Sequence, residues 1–137
     1  MARIPGGDYP DGLAYDPEVG KVYVSDEHGD TDTVVDARTN QKVGTVRLGK
    51  DVGNTQYDPG SHQVLVAVGD KNQLALIDPR TDEVTSMVDV PGCQGAHGLA
   101  IDSDLRRAFV ACEQNARLVV LDLQSMPRVH WRHRQEP

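Results

Sequence analysis

Asp11 and His97 lie at equivalent positions of a pattern that recurs along the chain, and they are the first candidates for a ligand site. The middle copy of the pattern has Gly53 at that position. A carboxylate and an imidazole can orient a polar ligand, because between them they accept and donate hydrogen bonds. We expect further ligand-binding groups on polar loops of the same side, so that the predicted site comprises Asp11, Asn54, His97, Asp26, His28 and Glu113.

The segment from Asp26 to Asp32 is rich in carboxylates and is a candidate calcium site. Calcium is bound by carboxylate oxygens, although this segment lacks the spacing of the helix-flanked calcium loop. The predicted metal ligands are Asp26, Glu27, Asp30 and Asp32. A loop whose acidic side chains are simply hydrated is the alternative.

Asp32 is unusual within this segment, because its repeat equivalents are Leu74 and Leu118, which are residues expected in a core. A carboxylate buried at such a position needs a cation or several hydrogen-bond donors. Asp32 is therefore either a site residue or a sign that this strand begins later in the sequence.

Cys93 and Cys112 are the two cysteines of the chain. We expect two free thiols in a packed sheet, because a cytosolic location disfavours a disulfide. A disulfide and a partial zinc set with His97 remain as alternatives, and the zinc set lacks a fourth ligand.

Sequence motifs typical of catalysis are missing from the chain: it has no nucleophile elbow, no glycine-rich phosphate loop and no paired metal-binding histidine motif. We therefore assign no catalytic residue. Asp36, Asp78 and Asp122 recur at the end of the third strand of each repeat. They are expected to accept hydrogen bonds from the backbone of the turns that follow.

The strands that position these residues are predicted from a sequence pattern that occurs three times, at spacings of 42 and 44 residues. Each copy is a series of short β segments separated by turns rich in Asp, Pro and Gly. A period in the low forties built from short strands is typical of β-propeller blades, each a sheet of four antiparallel strands. The predicted fold is all-β with three blades, about residues 11–48, 53–90 and 97–125, followed by a divergent basic tail at 126–137.

The two ends of the repeated region are out of phase by one strand. Ile4-Pro5-Gly6 matches Val90-Pro91-Gly92, which lies 86 residues later, so Met1–Ile4 is predicted to be an outer strand without a blade. The third repeat lacks its outer strand. Two chains that exchange this strand would form a homodimer with a six-bladed ring. The alternative is that the chain is a segment of a longer propeller.

Composition limits the partners. The chain has 137 residues and a formal net charge of −7. An acidic surface repels phosphate backbones, so nucleic acid is not expected as a partner. No apolar run reaches the roughly 18 residues of a membrane span. The start of the sequence has no apolar signal segment, which predicts a cytoplasmic protein by default, or a periplasmic or secreted one if the chain is part of a longer parent.

Several segments resemble the YVTN-type β-propeller repeat of the YncE-like proteins. The resemblance is carried by Asp11–Pro17, Gly20–Ser25 and Val34–Thr39, and it extends over residues 1 to about 125. The third copy, His97–Asp102 followed by Phe109-Val110-Ala111, is also similar to NHL repeats and to the six-bladed lactonases related to gluconolactonase. The resemblance implies the fold, whereas propellers of this kind serve as binding scaffolds, enzyme domains and surface-layer modules.

The predicted function is a non-catalytic scaffold that binds a small ligand or a protein partner at the mouth of the propeller channel. It requires no cofactor. The alternative is a metal-dependent, calcium-type hydrolase similar to the lactonases, whose calcium set cannot be matched here residue by residue. A chain without a selected function is a third possibility, because the repeat pattern stops abruptly after Ser125.

Overall fold

A computed structural model describes residues 1–128. These residues form eleven strands and a short 3-10 helix at Leu123–Ser125. The strands are β1 (Pro10–Asp16), β2 (Lys21–Asp26), β3 (Thr31–Asp36), β4 (Gln41–Arg47), β5 (Val52–Asp58), β6 (Gln63–Val68), β7 (Gln73–Asp78), β8 (Glu83–Asp89), β9 (Ala96–Asp102), β10 (Arg107–Cys112) and β11 (Arg117–Asp122).

The strands form three antiparallel sheets in which each strand pairs with its neighbour in sequence. The first sheet contains β1 to β4, the second β5 to β8, and the third β9 to β11. The all-β prediction and the three repeats are therefore confirmed at the level of sheets. The described helix, three residues long, is too short to cross a membrane.

The turns between strands are fixed by aspartates, as expected. The carboxylates of Asp36, Asp78 and Asp122 each accept a hydrogen bond from the backbone N–H two residues later, at 2.8 to 2.9 Å. Asp16 and Asp58 do the same at the ends of β1 and β5. These bonds satisfy turn amides that would otherwise be unpaired, which explains why aspartate recurs at the strand ends.

Two apolar cores lie between the three sheets, one in each interface. One core lies between the first and second sheets and contains Tyr23, Val34, Val64 and Val66. The other core lies between the second and third sheets and is formed by side chains such as Leu65, Leu76, Leu99 and Val110. The middle sheet is covered on both faces, and β6 is buried along its whole length. The first strands of the three sheets are adjacent, with β5 contacting both β1 and β9.

Within residues 1–128, no other sheet packs on the outer face of the first sheet or of the third. On the third sheet, Phe109 lies opposite Val120 and Ala111 opposite Leu118, so these side chains share the face that points away from the second sheet. Leu118 and Val120 are exposed there. The first sheet has a groove of about 360 Å³, which is lined by Ile4, Pro5, Val22, Val24, Asp26, Thr33 and Val35 among others.

The structure of the two ends of the repeated region agrees with the prediction for the third sheet but shows no strand at residues 1–9. Residues 1–9 form no strand in the single chain, and Ile4 to Gly6 lie along the groove of the first sheet. Among residues 1–128, no strand pairs with the outer edge of β11. The exchange of Met1–Ile4 between two chains remains a prediction. Most of the basic tail predicted at 126–137 lies outside the described residues.

The expectation of two free thiols is wrong, because Cys93 and Cys112 form a disulfide. Cys112 ends β10 and pairs with Ala96 at the start of β9, which is three residues after Cys93. This register brings the Cα atoms of the two cysteines to 5.4 Å, within the range of a disulfide. Bonding of both sulfurs to each other also removes the zinc set with His97.

Candidate functional site

Asp11, Glu27 and His97 converge at one end of the innermost strands. Their ligand atoms, two carboxylate oxygens and an imidazole nitrogen, all lie within 4.8 Å of one another. His97 Nε2 is 3.5 Å from Asp11 Oδ2 and 3.9 Å from Glu27 Oε1. The three side chains are 27 to 33% exposed, so a ligand can reach them from solvent.

The approach of β9 to β5 depends on Gly53. A Cβ atom at Gly53 would lie 2.4 Å from the carbonyl oxygen of His97, which is far inside contact distance. A side chain at this position would therefore push β9 away from β5. The repeat places Asp11 and His97 at the equivalent positions of β1 and β9, and the missing side chain between them lets the two polar groups meet.

Glu27 is held by the loop that follows β2. Its backbone N–H donates to the carbonyl of Tyr9 at 2.9 Å, which extends the β1–β2 pairing by one step. The ring of Tyr9 stacks on His28 with centroids 4.3 Å apart. His28 Nε2 in turn lies 3.3 Å from Glu27 Oε2, so this stack forms a wall beside the glutamate.

Asn54 links the strands that carry Asp11 and His97. Its Oδ1 accepts a hydrogen bond from the backbone N–H of Leu99 at 3.2 Å, which ties β5 to β9 two residues beyond His97. The amide group also lies beside Gly12 of β1. We therefore regard Asn54 as a residue that positions the two strands.

Asp26 is buried on the outer face of the first sheet. Its Oδ2 accepts hydrogen bonds from the hydroxyls of Thr31 at 2.9 Å and Thr33 at 2.7 Å. Within residues 1–128, its Oδ1 is buried without a hydrogen-bond partner. Asp26 thus belongs to the groove under Gly6 and Gly7 rather than to the cluster around His97.

Asp32 is fully buried between the first and second sheets, as its repeat position indicated. Its Oδ2 accepts a hydrogen bond from the Thr55 hydroxyl at 2.9 Å, and its Oδ1 has no partner among the described residues. Burial raises the pKa of Asp32 to about 7; the bond from Thr55 opposes this rise, and the charge of Asp26 adds to it.

The predicted calcium ligands are not brought together. Asp26 bonds Thr33 on one face of β3, whereas Asp32, the preceding residue on that strand, points to the opposite face. Asp30 is exposed in a turn with a positive φ of 60°, and its carbonyl accepts from Leu48. Glu113, predicted as a ligand residue, is also exposed, and its backbone bonds Gly95.

Sequence reasoning placed Glu27 in the calcium set and missed its contact with His97. The antiparallel register pairs Pro10 with Asp26, which brings residue 27 beside the start of β1. That register was accessible from the strand pattern. The irregular pairing between Pro10 and Leu13, the stretch that contains Asp11, could not be read from the strand pattern.

The arrangement can act chemically in two ways. Two carboxylates and an imidazole nitrogen can coordinate a divalent cation, or they can accept hydrogen bonds from an ammonium or hydroxyl group of a ligand.

Comparison with known proteins supports the fold. No family model and no curated protein matches the chain. A structure of Kuenenia stuttgartiensis hydrazine synthase is similar, with a TM-score of 0.76 and 21% sequence identity over 94% of this chain. The match spans 37% of the hydrazine synthase chain, so this chain corresponds to little more than a third of it. At this level of identity the likeness concerns the arrangement of strands alone.

Proposed function

We propose that the chain is a three-blade β-propeller unit that closes with a second copy into a six-bladed ring and acts as a binding scaffold, with its ligand held at the channel mouth by Asp11, Glu27 and His97. The observation that carries this proposal is that, among residues 1–128, no other sheet packs on the outer face of the first sheet or of the third. Each face is the repeat equivalent of a face that is buried elsewhere in the same chain.

The outer face of the third sheet, formed by Phe109, Leu118 and Val120, provides the first comparison. The equivalent residues of the other two sheets are almost completely buried under the next sheet: Tyr23, Asp32 and Val34 in the first, and Leu65, Leu74 and Leu76 in the second. Burying large apolar side chains is favourable by about 1.5 to 3 kcal/mol each. The third face is therefore built to be covered.

The outer face of the first sheet gives the reciprocal comparison. Its groove contains Val22 and Val24, which are half-buried, and Thr33 and Val35, which are already buried in the single chain. The equivalent residues of the second sheet, which pack against the first sheet, are fully buried: Val64, Val66, Ala75 and Ile77. The third sheet of one copy can therefore pack on the first sheet of another copy. This contact would be of the same kind as the contacts between neighbouring sheets within one chain. Two such contacts close a ring with twofold symmetry.

The lack of a twelfth strand in the described part of the chain, residues 1–128, supports the same assembly. Val90, the repeat equivalent of Ile4, is buried in the core between the second and third sheets. Residues 1–4 of a second copy could pair with the free edge of β11 and place Ile4 in that position. An unpaired edge is a liability in a soluble protein, and a borrowed strand removes it.

The mouth of such a ring would carry the cluster around His97 once in each copy. The hydrolase alternative requires a calcium set, and the carboxylates predicted for it lie apart. Asp26 and Asp32 are on opposite faces of the first sheet, Asp30 is in an exposed turn, and Glu27 belongs to the cluster around His97. The binding scaffold is therefore the better-supported function. Because a buried disulfide persists mainly in oxidising compartments, we further propose that the protein works outside the cytoplasm, contrary to the cytoplasmic default.

Hydrogen exchange at the edge of β11 tests the exchanged strand. Alternate backbone amides of β11 point away from β10 and are open to water in a single chain. We expect these amides to exchange at least about tenfold more slowly in the full chain than in a variant lacking residues 2–4. The amides of β7, buried in the middle sheet, serve as a control for folding and should be unchanged. Equal exchange of the β11 edge in both proteins would contradict the proposal.

A further inference from the structure

We infer that Asp11, Glu27 and His97 form a binding site for one divalent transition-metal ion. The inference rests on the proposed function in taking the channel mouth as the place where a ligand is held. It goes further in naming the class of ligand, and the residues differ from the calcium set that the sequence suggested.

The spacing of the three ligand atoms suits a metal of this class. Ligand atoms around an ion with bonds of about 2.1 Å are separated by roughly 3.0 to 3.5 Å. His97 Nε2 lies 3.5 Å from the oxygen of Asp11 and 3.9 Å from that of Glu27. Rotations of the partly exposed side chains are sufficient to bring the three atoms onto one ion.

The ligand types select among cations. Calcium and magnesium prefer oxygen ligands, whereas an imidazole nitrogen favours zinc, cobalt, nickel or copper. Two carboxylates supply the two negative charges that neutralise a divalent ion.

The surroundings hold the glutamate in position. Its backbone is fixed by the hydrogen bond to Tyr9, and its second oxygen lies 3.3 Å from His28, whose ring is stacked on Tyr9. A partner of this kind orients a metal-binding carboxylate and limits its motion. Three protein ligands leave at least one coordination position for water or for a bound molecule, unlike structural zinc sites, which have four protein ligands.

Titration of the metal-free protein with Co²⁺, followed by visible absorption, tests the site, and Zn²⁺ is then titrated by calorimetry. We expect one ion per chain. His97→Ala, Glu27→Gln and Asp11→Asn are each expected to weaken binding by about tenfold or more. His62→Ala is the matched control, because His62 also lies beside a carboxylate, 2.6 Å from Glu18, at the opposite end of the strands. It should bind as the unmodified protein does.

Absence of saturable Co²⁺ binding would overturn the inference, and so would equal affinity in the unmodified protein and the three site variants. A loss of binding in His62→Ala as large as that in His97→Ala would also contradict it. Circular dichroism identifies any variant that fails to fold, and Asp11→Asn, at an exposed position, keeps the test decisive. The molar mass of each sample separates the two proposals: a single chain that binds metal contradicts the ring alone, and a ring that binds none contradicts the metal site alone.

Discussion

Val120→Asp is expected to dissociate the two-chain assembly into single chains. Val120 is 51% exposed in the single chain, but its repeat equivalents Val34 and Leu76 are buried under the next sheet. In the ring this side chain would be covered by the first sheet of the partner. A carboxylate buried there without a hydrogen-bond partner costs several kcal/mol, and the contact occurs twice per ring.

Val43→Asp is the matched control for this substitution. Val43 is also 51% exposed. Its repeat equivalent Thr85 remains exposed even in the middle sheet, both of whose faces are covered, so this position lies outside the sheet contacts. Sedimentation velocity over a dilution series should give a dimer dissociation constant raised by about 100-fold or more for Val120→Asp and unchanged for Val43→Asp. Equal dissociation constants for the two variants would contradict the proposed contact.

The unmodified protein is expected to lose folding stability as the pH rises from about 4 to about 7, and Asp32→Asn is expected to abolish this loss. Burial raises the pKa of Asp32 from 3.8 in the unfolded chain to about 7 in the fold. The folded protein therefore holds the proton more tightly than the unfolded chain. The stability from this group is fully present below pH 3.8 and is lost as the pH rises through about 7. A difference of this size corresponds to roughly 4 kcal/mol.

Urea unfolding at a series of pH values measures this effect. The unmodified protein should lose stability relative to Asp32→Asn as the pH increases from 4 to 8. Asp30→Asn serves as the control, because Asp30 lies in an exposed turn two residues before Asp32. The stability of this variant should follow that of the unmodified protein at each pH. Parallel curves for Asp32→Asn and the unmodified protein would show that Asp32 titrates normally and would contradict this account.

The sheets could be predicted from the sequence because their determinants are local and recur three times. The first and third strands of each sheet end at an aspartate that bonds the following turn. The apolar residues between the turns alternate or run continuously according to burial. Asp32 was recognisable as a buried carboxylate because two leucines occupy its equivalent positions. The repeat thus indicated both the usual residue at this position, leucine, and the exception, Asp32.

The candidate site was predicted only in part. Asp11 and His97 were accessible through their shared repeat position, but Glu27 joins them through the irregular pairing at the start of β1, which no residue pattern specifies. The disulfide was missed because the compartment was inferred from the start of the sequence. The pairing register of β9 and β10, which brings Cys93 next to Cys112, indicates a disulfide more directly than the inferred compartment argued against one.

The central claim is that the first and third sheets of one copy are covered by those of another. The most direct test is the molar mass of the unmodified chain in solution, measured by light scattering after size-exclusion chromatography at micromolar concentration. The chain has a mass of 15.0 kDa, so the account predicts twice that value, about 30 kDa. A folded species of 15 kDa under these conditions would contradict it.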